Sequence, residues 1–166
     1  KKDTYVRMIT YFKERETWMR PLDMLNKALT ILVFVTYPVL LVYLLVQSDA
    51  NIWRAIVVPF FAFVILSVVR RIINRKRPYE KFETPSLIHK NTCGKSFPSR
   101  HVFSCFLIAM TVFILSSWTE YGCILILCGV ILALIRVLTG VHYISDVIAG
   151  AAAGIIGFVL IDFPKF

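Results

Sequence analysis

The apolar residues of this 166-residue chain gather in long blocks, without the alternating or 3.6-residue stripes of a soluble domain. The first block runs from about Ala28 to Val46 and the second from about Ala55 to Ile73, with Pro59 inside it. The third runs from Pro98 to about Trp118, the fourth from about Cys123 to Leu138, and the fifth from about Asp146 to Ile161. Each is close to the roughly 20 residues a helix needs to cross about 30 Å of hydrocarbon. A membrane helix tolerates an internal proline, because neighbouring groups satisfy the freed backbone carbonyl. The pattern therefore predicts an all-α, polytopic membrane bundle of about five transmembrane helices, formed as one domain over residues 1–166.

The connections are uneven. Gln47 to Asn51 is a short polar turn followed by Trp53, placed as an aromatic-belt residue would be. Thr119 to Gly122 reads as a tight turn. Residues 74–97 form a long polar loop, in which Pro78, Pro85, Asn91 and Gly94 forbid one continuous helix. Structureless loops beyond about 12 to 15 residues are usually functional or disordered, so this one is the candidate active-site loop. Pro98 suits the first turn of the helix that follows. Residues 1–26 mix Tyr5, Val6, Met8, Ile9, Phe12, Trp18 and Met19 with charges, which fits an interfacial helix or one that packs on the bundle. Gly150 and Gly154 make a small-xxx-small pattern that lets helices approach closely, within the bundle in preference to between two copies.

Composition sharpens this picture: 58% of residues are hydrophobic and 17% charged, yet the formal net charge is +9. Such a balance suits anionic lipid or an anionic substrate; no nucleic-acid motif accompanies it, and nucleic acid is not an expected partner. The cations lie in the N-terminal stretch and between Arg70 and Arg100, with Arg136 alone inside an apolar block. Cys105, Cys123 and Cys128 fall in predicted spans and Cys93 in the loop, a distribution with neither a disulfide framework nor metal-ligand spacing.

Because successive spans alternate direction, the 74–97 loop and the Thr139 to Ser145 connection open on the same side. Three clusters converge there: Arg70 with Arg77-Pro78, Pro98-Ser99-Arg100-His101, and Arg136 with His142 and Asp146. Four residues separate His142 from Asp146, which on one helical turn puts the carboxylate on the histidine's face. Asp146 can then hold the Nδ1 proton and leave Nε2 as a nucleophile. The plain alternative is that Ser145 or Asp146 caps the fifth helix. His101, on the first turn of its helix, can protonate a leaving oxygen and later activate water. Ser99 supplies a hydroxyl, and the arginines supply forked, permanently charged donors for phosphoryl oxygens. Taken alone, Arg70 to Arg77 also reads as ordinary positive charge flanking a membrane helix.

In this order the residues resemble the signature of the type 2 phosphatidic acid phosphatase superfamily. Its pattern is lysine, six residues and Arg-Pro; then Pro-Ser-x-His; then Ser-Arg, five residues, His, three residues and Asp. The resemblance implies that His142 is the nucleophile, Asp146 its partner and His101 the general acid and base. It also implies that Arg70, Arg77, Ser99, Arg100 through its amide, and Arg136 cradle phosphate, with no metal and no other cofactor. Two positions depart: Arg70 stands where lysine is usual, with Arg71 able to share its role, and Ile135 stands where serine precedes the arginine. Arginine keeps the charge but not the reach of an ammonium.

The expected activity is metal-independent hydrolysis of a lipid phosphate, a monoester or a diphosphate, through phosphohistidine. Phosphatidic acid, phosphatidylglycerol phosphate and an isoprenoid diphosphate are the candidate substrates. A phosphotransferase would carry the same residues, and a silent lipid-binding protein is the alternative of another class. Five spans put the N-terminus on the site's side with Lys1, Lys2, Arg7, Lys13, Arg15, Arg20 and Lys27, against Arg54 and Lys165 opposite. The positive-inside rule argues for a cytoplasmic site. The family resemblance implies an extracytoplasmic site in the cell membrane, and we carry that forward as the expectation.

Overall fold

The computed structural model describes residues 2–88 and 92–162; Lys1, Asn91 and Lys165 lie outside them. Seven helices account for most of these residues: α1 (Lys2–Lys13), α2 (Glu16–Val46), α3 (Ile52–Ile73), α4 (Pro78–Phe82), α5 (Arg100–Leu115), α6 (Thr119–Leu138) and α7 (Ile144–Asp162). The five predicted spans correspond to α2, α3, α5, α6 and α7. Segments Thr17–Val46, Ile52–Phe82 and Thr119–Leu138 are long and apolar enough to cross a membrane, whereas Arg100–Leu115 and Ile144–Gly157 are shorter apolar helices. The reason for the difference lies in packing.

Helix α5 is the axis of the bundle, contacted by α2, α3, α6 and α7. Nearly every side chain from Val102 to Val112 is buried, so its apolar character serves protein contacts rather than lipid. At 16 residues it spans about 24 Å, and its N-cap Ser99 is fully buried. The outer helices carry the lipid-facing surface instead. Phe60, Phe61 and Ile65 on α3, Leu127 and Leu134 on α6, and Ile148 and Ile156 on α7 are all exposed. A belt of such residues on a soluble protein would be an aggregation hazard; around a bundle it is the hydrocarbon contact.

Small residues set the closest approaches. A Cβ on Gly150 would lie 2.6 Å from the Ser99 carbonyl oxygen, and one on Gly154 would lie 2.7 Å from that of Phe103. The Gly150 to Gly154 pattern thus packs α7 on α5 within the chain, as the sequence reading preferred. Gly122 behaves alike: its added Cβ would meet the Phe113 backbone at 2.9 Å. That corrects the expected turn at Thr119 to Gly122, which is the first turn of α6, brought against α5 by the missing side chain.

Three further boundaries differ. The predicted interfacial segment 1–26 divides into α1 and the first turns of α2, which at 31 residues is about 46 Å long and outruns the hydrocarbon. Helix α1 packs on the bundle: Tyr5 and Ile9 are buried, and the Tyr5 hydroxyl reaches the carbonyls of Gly140 and Thr84, each at 3.3 Å. The 74–97 loop contains α4, and Pro98 precedes helix α5, which is N-capped at Ser99.

Candidate active site

Three connections meet at one end of the bundle. The first runs from α3 through α4 to Lys95. The left-handed Asn74 ends α3, and the Arg77 and Gly94 amides both donate to the Glu80 carboxylate, Arg77 at 2.7 Å and Gly94 at 2.8 and 2.9 Å. Glu80 therefore folds the loop back on itself. Its carboxyl is held below the usual range, although burial acts the other way, because these two backbone donors and one from the Cys93 side chain outweigh burial. Arg77, itself buried, donates from Nε to the Gly94 carbonyl at 3.1 Å. Arg70 donates to the carbonyls of Pro98 and Lys95. The arginine in the lysine position thus spends part of its fork on the loop.

The second connection is the start of α5. Ser99 is fully buried; its N–H donates to the Asp146 carbonyl at 2.9 Å, which joins the starts of α5 and α7. Although Ser99 is the N-cap, its hydroxyl makes no capping bond, and Oγ has no partner among the described residues. The side chain most often used to cap a helix is left for another acceptor or donor.

The third connection is the α6–α7 turn. Val141 N–H returns to the Arg136 carbonyl at 3.1 Å and Gly140 N–H to that of Val137 at 3.0 Å, a Schellman motif that requires a positive φ, here 74° at Gly140. His142 N–H also donates to the Arg136 carbonyl at 3.1 Å, so the end of α6 sets the histidine's backbone. Arg136 is 2% exposed and its Nε has no partner among the described residues. A buried guanidinium N–H left over is costly and marks a place where an oxygen acceptor fits.

His142 and Asp146 meet as their spacing predicts. Nδ1 lies 3.4 Å from Asp146 Oδ2 and 3.4 Å from Ser96 Oγ. Asp146 is fully buried and also accepts the Tyr143 N–H at 3.0 Å, the Ser96 hydroxyl, and Arg75 Nη1 at 2.8 Å. It caps α7 and faces the histidine at once, so the capping and catalytic readings are compatible. Burial pushes the His142 imidazole down to about 4; Arg77 and Arg136 add to this, and the opposing pull of Asp146 does not overcome it. The ring is neutral at physiological pH, the state a nitrogen nucleophile needs.

One cavity of about 120 Å³ is lined by Arg70, Arg77, Arg100, Arg136, His101 and His142, together with Thr92. Both imidazoles thus share one chamber walled by guanidinium groups. Ser99 and Asp146 lie outside its lining. Arg71 lines a separate cavity of about 350 Å³, which it shares with Arg70, Arg77 and Arg100 but with neither histidine. Ile135 is buried in the apolar core, so the serine missing before Arg136 falls at a position that packs α6.

The sequence reading missed Arg75 and Ser96, two of the donors that hold Asp146. Arg75 sits in an Arg-Lys-Arg run that looked like flanking charge, and its guanidinium also stacks 4.1 Å from the Tyr143 ring centroid. Ser96 lies in a stretch with no periodicity to mark it. Glu80 was missed too, though a glutamate three residues after Arg77 is where a capping carboxylate would be sought.

Fold and cavity together define a membrane-embedded helical bundle whose polar end is organised around an arginine-walled pocket with two histidines. The chain belongs to the PAP2 superfamily, whose model matches residues 51–161. It is similar to the LpxE structure of Aquifex aeolicus, with a TM-score of 0.69 and 26% identity over 84% of each chain. The transmembrane PAP2-type phosphatidylglycerolphosphate phosphatase of Bacillus subtilis shares the fold, with a TM-score of 0.64 and 19% identity over 99% of this chain and 86% of that one. Among curated proteins, the bacitracin transport permease protein BcrC of Bacillus licheniformis is 30% identical over 133 residues. That match takes in 76% of this chain, and the chain spans 64% of the relative's length.

Proposed function

We propose that the protein is a membrane lipid phosphatase that works through a phosphohistidine at His142. The observation that carries this reading is the single cavity lined by both histidines and four arginines. His142 Nε2 attacks phosphorus while Asp146 holds Nδ1, and His101 gives its proton to the departing oxygen. His101 then takes a proton from the water that releases inorganic phosphate. Arg70, Arg77 and Arg136, the amide of Arg100 and the Ser99 hydroxyl stabilise charge on the equatorial oxygens, which is most of what phosphoryl transfer asks of a protein. Permanently charged guanidinium groups fill the place a metal ion takes in other phosphatases.

Support for a lipid substrate comes from PAP2 membership, from the phosphatase activity named for the Bacillus subtilis neighbour, and from an apolar groove of about 450 Å³ between α2, α3 and α5. Phe63 lines that groove, and the Arg100 guanidinium lies 5.7 Å from its ring centroid, which puts an apolar surface next to a phosphate ligand. The test is phosphate release from a panel of lipid phosphates in detergent with EDTA present. Wild type releases phosphate under chelation and His142→Ala does not. A requirement for added metal, or an active His142→Ala, overturns the mechanism; substrate consumption without inorganic phosphate identifies transfer.

The site faces the extracytoplasmic side of the cell membrane in this reading. Cys93 is exposed in the loop, but Cys123 is exposed at the opposite end of the bundle. Labelling intact cells with an impermeant thiol reagent therefore needs a Cys123→Ser background, in which labelled Cys93 supports this orientation and protected Cys93 reverses it.

A further inference from the structure

The PAP2 match begins at residue 51, so α1 lies outside the matched segment, yet it touches two of the three connections that build the site. Tyr5 and Ile9, one turn apart, are the buried residues of α1. The Tyr5 hydroxyl has one proton to share between two carbonyls at 3.3 Å: Thr84, on the connection that carries Arg77, and Gly140, on the turn that carries His142. Burial, then the neighbouring Tyr143 and Tyr79, push the pKa of this hydroxyl up to about 12, so it stays a donor. The Tyr5 ring lies 5.1 Å from that of Phe82, and Phe82 meets Tyr143 edge-on at 6.4 Å. Tyr143 in turn carries the guanidinium of Arg75, which holds Asp146.

The contact with Gly140 leaves no slack. A Cβ there would lie 2.6 Å from the Tyr5 hydroxyl oxygen, 2.8 Å from Ile9 Cδ1 and 2.9 Å from Tyr5 Cε2. Gly140 is also the positive-φ residue of the Schellman motif, and the amides of Val141 and His142 that follow it both return to the Arg136 carbonyl. A shift of the Gly140 peptide is therefore passed to the His142 backbone two residues on. Leu87 N–H donates to the Thr139 carbonyl at 3.0 Å, which joins the same two connections along the backbone. Tyr5 adds a side-chain tie on the His142 side of that bond.

Neither Tyr5 nor Ile9 lines the chamber that holds both histidines. We propose that α1 is a built part of the active site, and that Tyr5 is a positioning residue that clamps the His142 turn against the connection bearing Arg77. The clamp sets the distance between the nucleophile and the phosphate cradle. This rests on the phosphohistidine reading above. Because Tyr5 acts through backbone and lies outside the chamber, its loss slows phosphoryl transfer without weakening the hold on the lipid. The competing role is a buried anchor that only stabilises the fold, which would lower Tm and leave the chemistry of the folded protein unchanged.

The experiment measures kcat and KM for phosphate release from phosphatidic acid, phosphatidylglycerol phosphate and a prenyl diphosphate in detergent, well below the Tm of every variant. It uses wild type, Tyr5→Phe, Tyr5→Ala and Leu44→Ala. Leu44 is fully buried near the other end of α2, so its truncation lowers stability away from the site. Tyr5→Phe is expected to lower kcat about fivefold, the scale of one hydrogen bond. Tyr5→Ala is expected to lower it about 10- to 100-fold, the scale of a misplaced nucleophile. KM should stay unchanged in both, and Leu44→Ala should lower Tm and keep kcat. Wild-type kcat in either Tyr5 variant, a change confined to KM, or the same kcat loss in Leu44→Ala overturns the clamp and leaves the phosphatase reading intact. Should Tyr5→Ala fail to fold, Tyr5→Phe decides alone. A wild type that hydrolyses none of the three lipids overturns the phosphatase reading and the clamp with it.

Discussion

Replacing Gly150 by alanine adds one carbon at the junction of α5 and α7. That carbon would lie 2.6 Å from the Ser99 carbonyl oxygen and 3.4 Å from the amide nitrogens of Ser99 and Phe103. Ordinary contact begins near 3.4 Å, so α7 must move from the start of α5 by about 0.8 Å at this level. The obstacle is backbone, which cannot rotate aside, so overpacking here costs about 1–3 kcal/mol. The shift falls where Ser99 N–H binds the Asp146 carbonyl, and it carries Asp146 and His142 away from Ser99 and His101. Misplacement on the order of 1 Å in an active site can cost about 100-fold in rate. Gly150→Ala is therefore expected to lower kcat by about 10- to 100-fold in phosphate release, with a lower Tm in detergent. Gly154→Ala meets the Phe103 carbonyl at 2.7 Å one turn further in, and should lower Tm with a smaller loss of rate. Gly157→Ala is the control: its nearest contacts are side chains at 3.5 Å, and a helical alanine gains about 0.5–1 kcal/mol over glycine. Gly150→Ala with wild-type kcat and Tm would refute the claim that this contact sets the site.

Three other outcomes follow from the site. Folded His142 titrates near 4 against 6.5 for the free side chain, so its contribution to stability is complete above pH 6.5 and is lost as pH falls from 6.5 to 4. The loss is about 3 kcal/mol; denaturation of wild type and His142→Gln over this range measures it, and identical pH slopes exclude it. Arg136→Lys keeps the charge but loses the fork and the buried Nε, and should lower kcat by about 100- to 1000-fold while the protein stays folded. Equal activity would mean that Nε serves no substrate oxygen. Ser96→Ala and Arg75→Gln each remove one donor from Asp146 and should lower kcat by about fivefold to tenfold, the scale of one hydrogen bond near 1 kcal/mol, with KM unchanged. A change confined to KM would assign them to binding.

Much of the bundle was legible because a span must be apolar along about 20 residues, a pattern that survives without knowledge of neighbours. The same logic hid the role of α5. An apolar run reads alike whether lipid or protein covers it, and nearly all of Val102 to Val112 is covered by protein. Gly122 looked like punctuation for a turn because a glycine that ends a helix and one that admits a neighbour are the same residue in sequence. The local capping of α7 by Asp146 and its approach to His142 were readable at a spacing of four. Arg75 and Ser96 act on Asp146 across 71 and 50 residues, and no local pattern encodes such distances.

The close contact of α5 with α7 also explains why the chemistry gathers at this end of the bundle. Helix α5 starts beside α7, and the positive ends of both helix dipoles face the same region. That region suits an anion before any side chain is counted. The arginines then add permanent charge, while burial and two of those arginines keep the His142 imidazole neutral. A cationic imidazole there would raise the positive charge of the pocket but could not attack phosphorus. The same guanidinium groups that attract phosphate therefore also keep the nucleophile reactive, and removing Arg77 or Arg136 weakens both effects together.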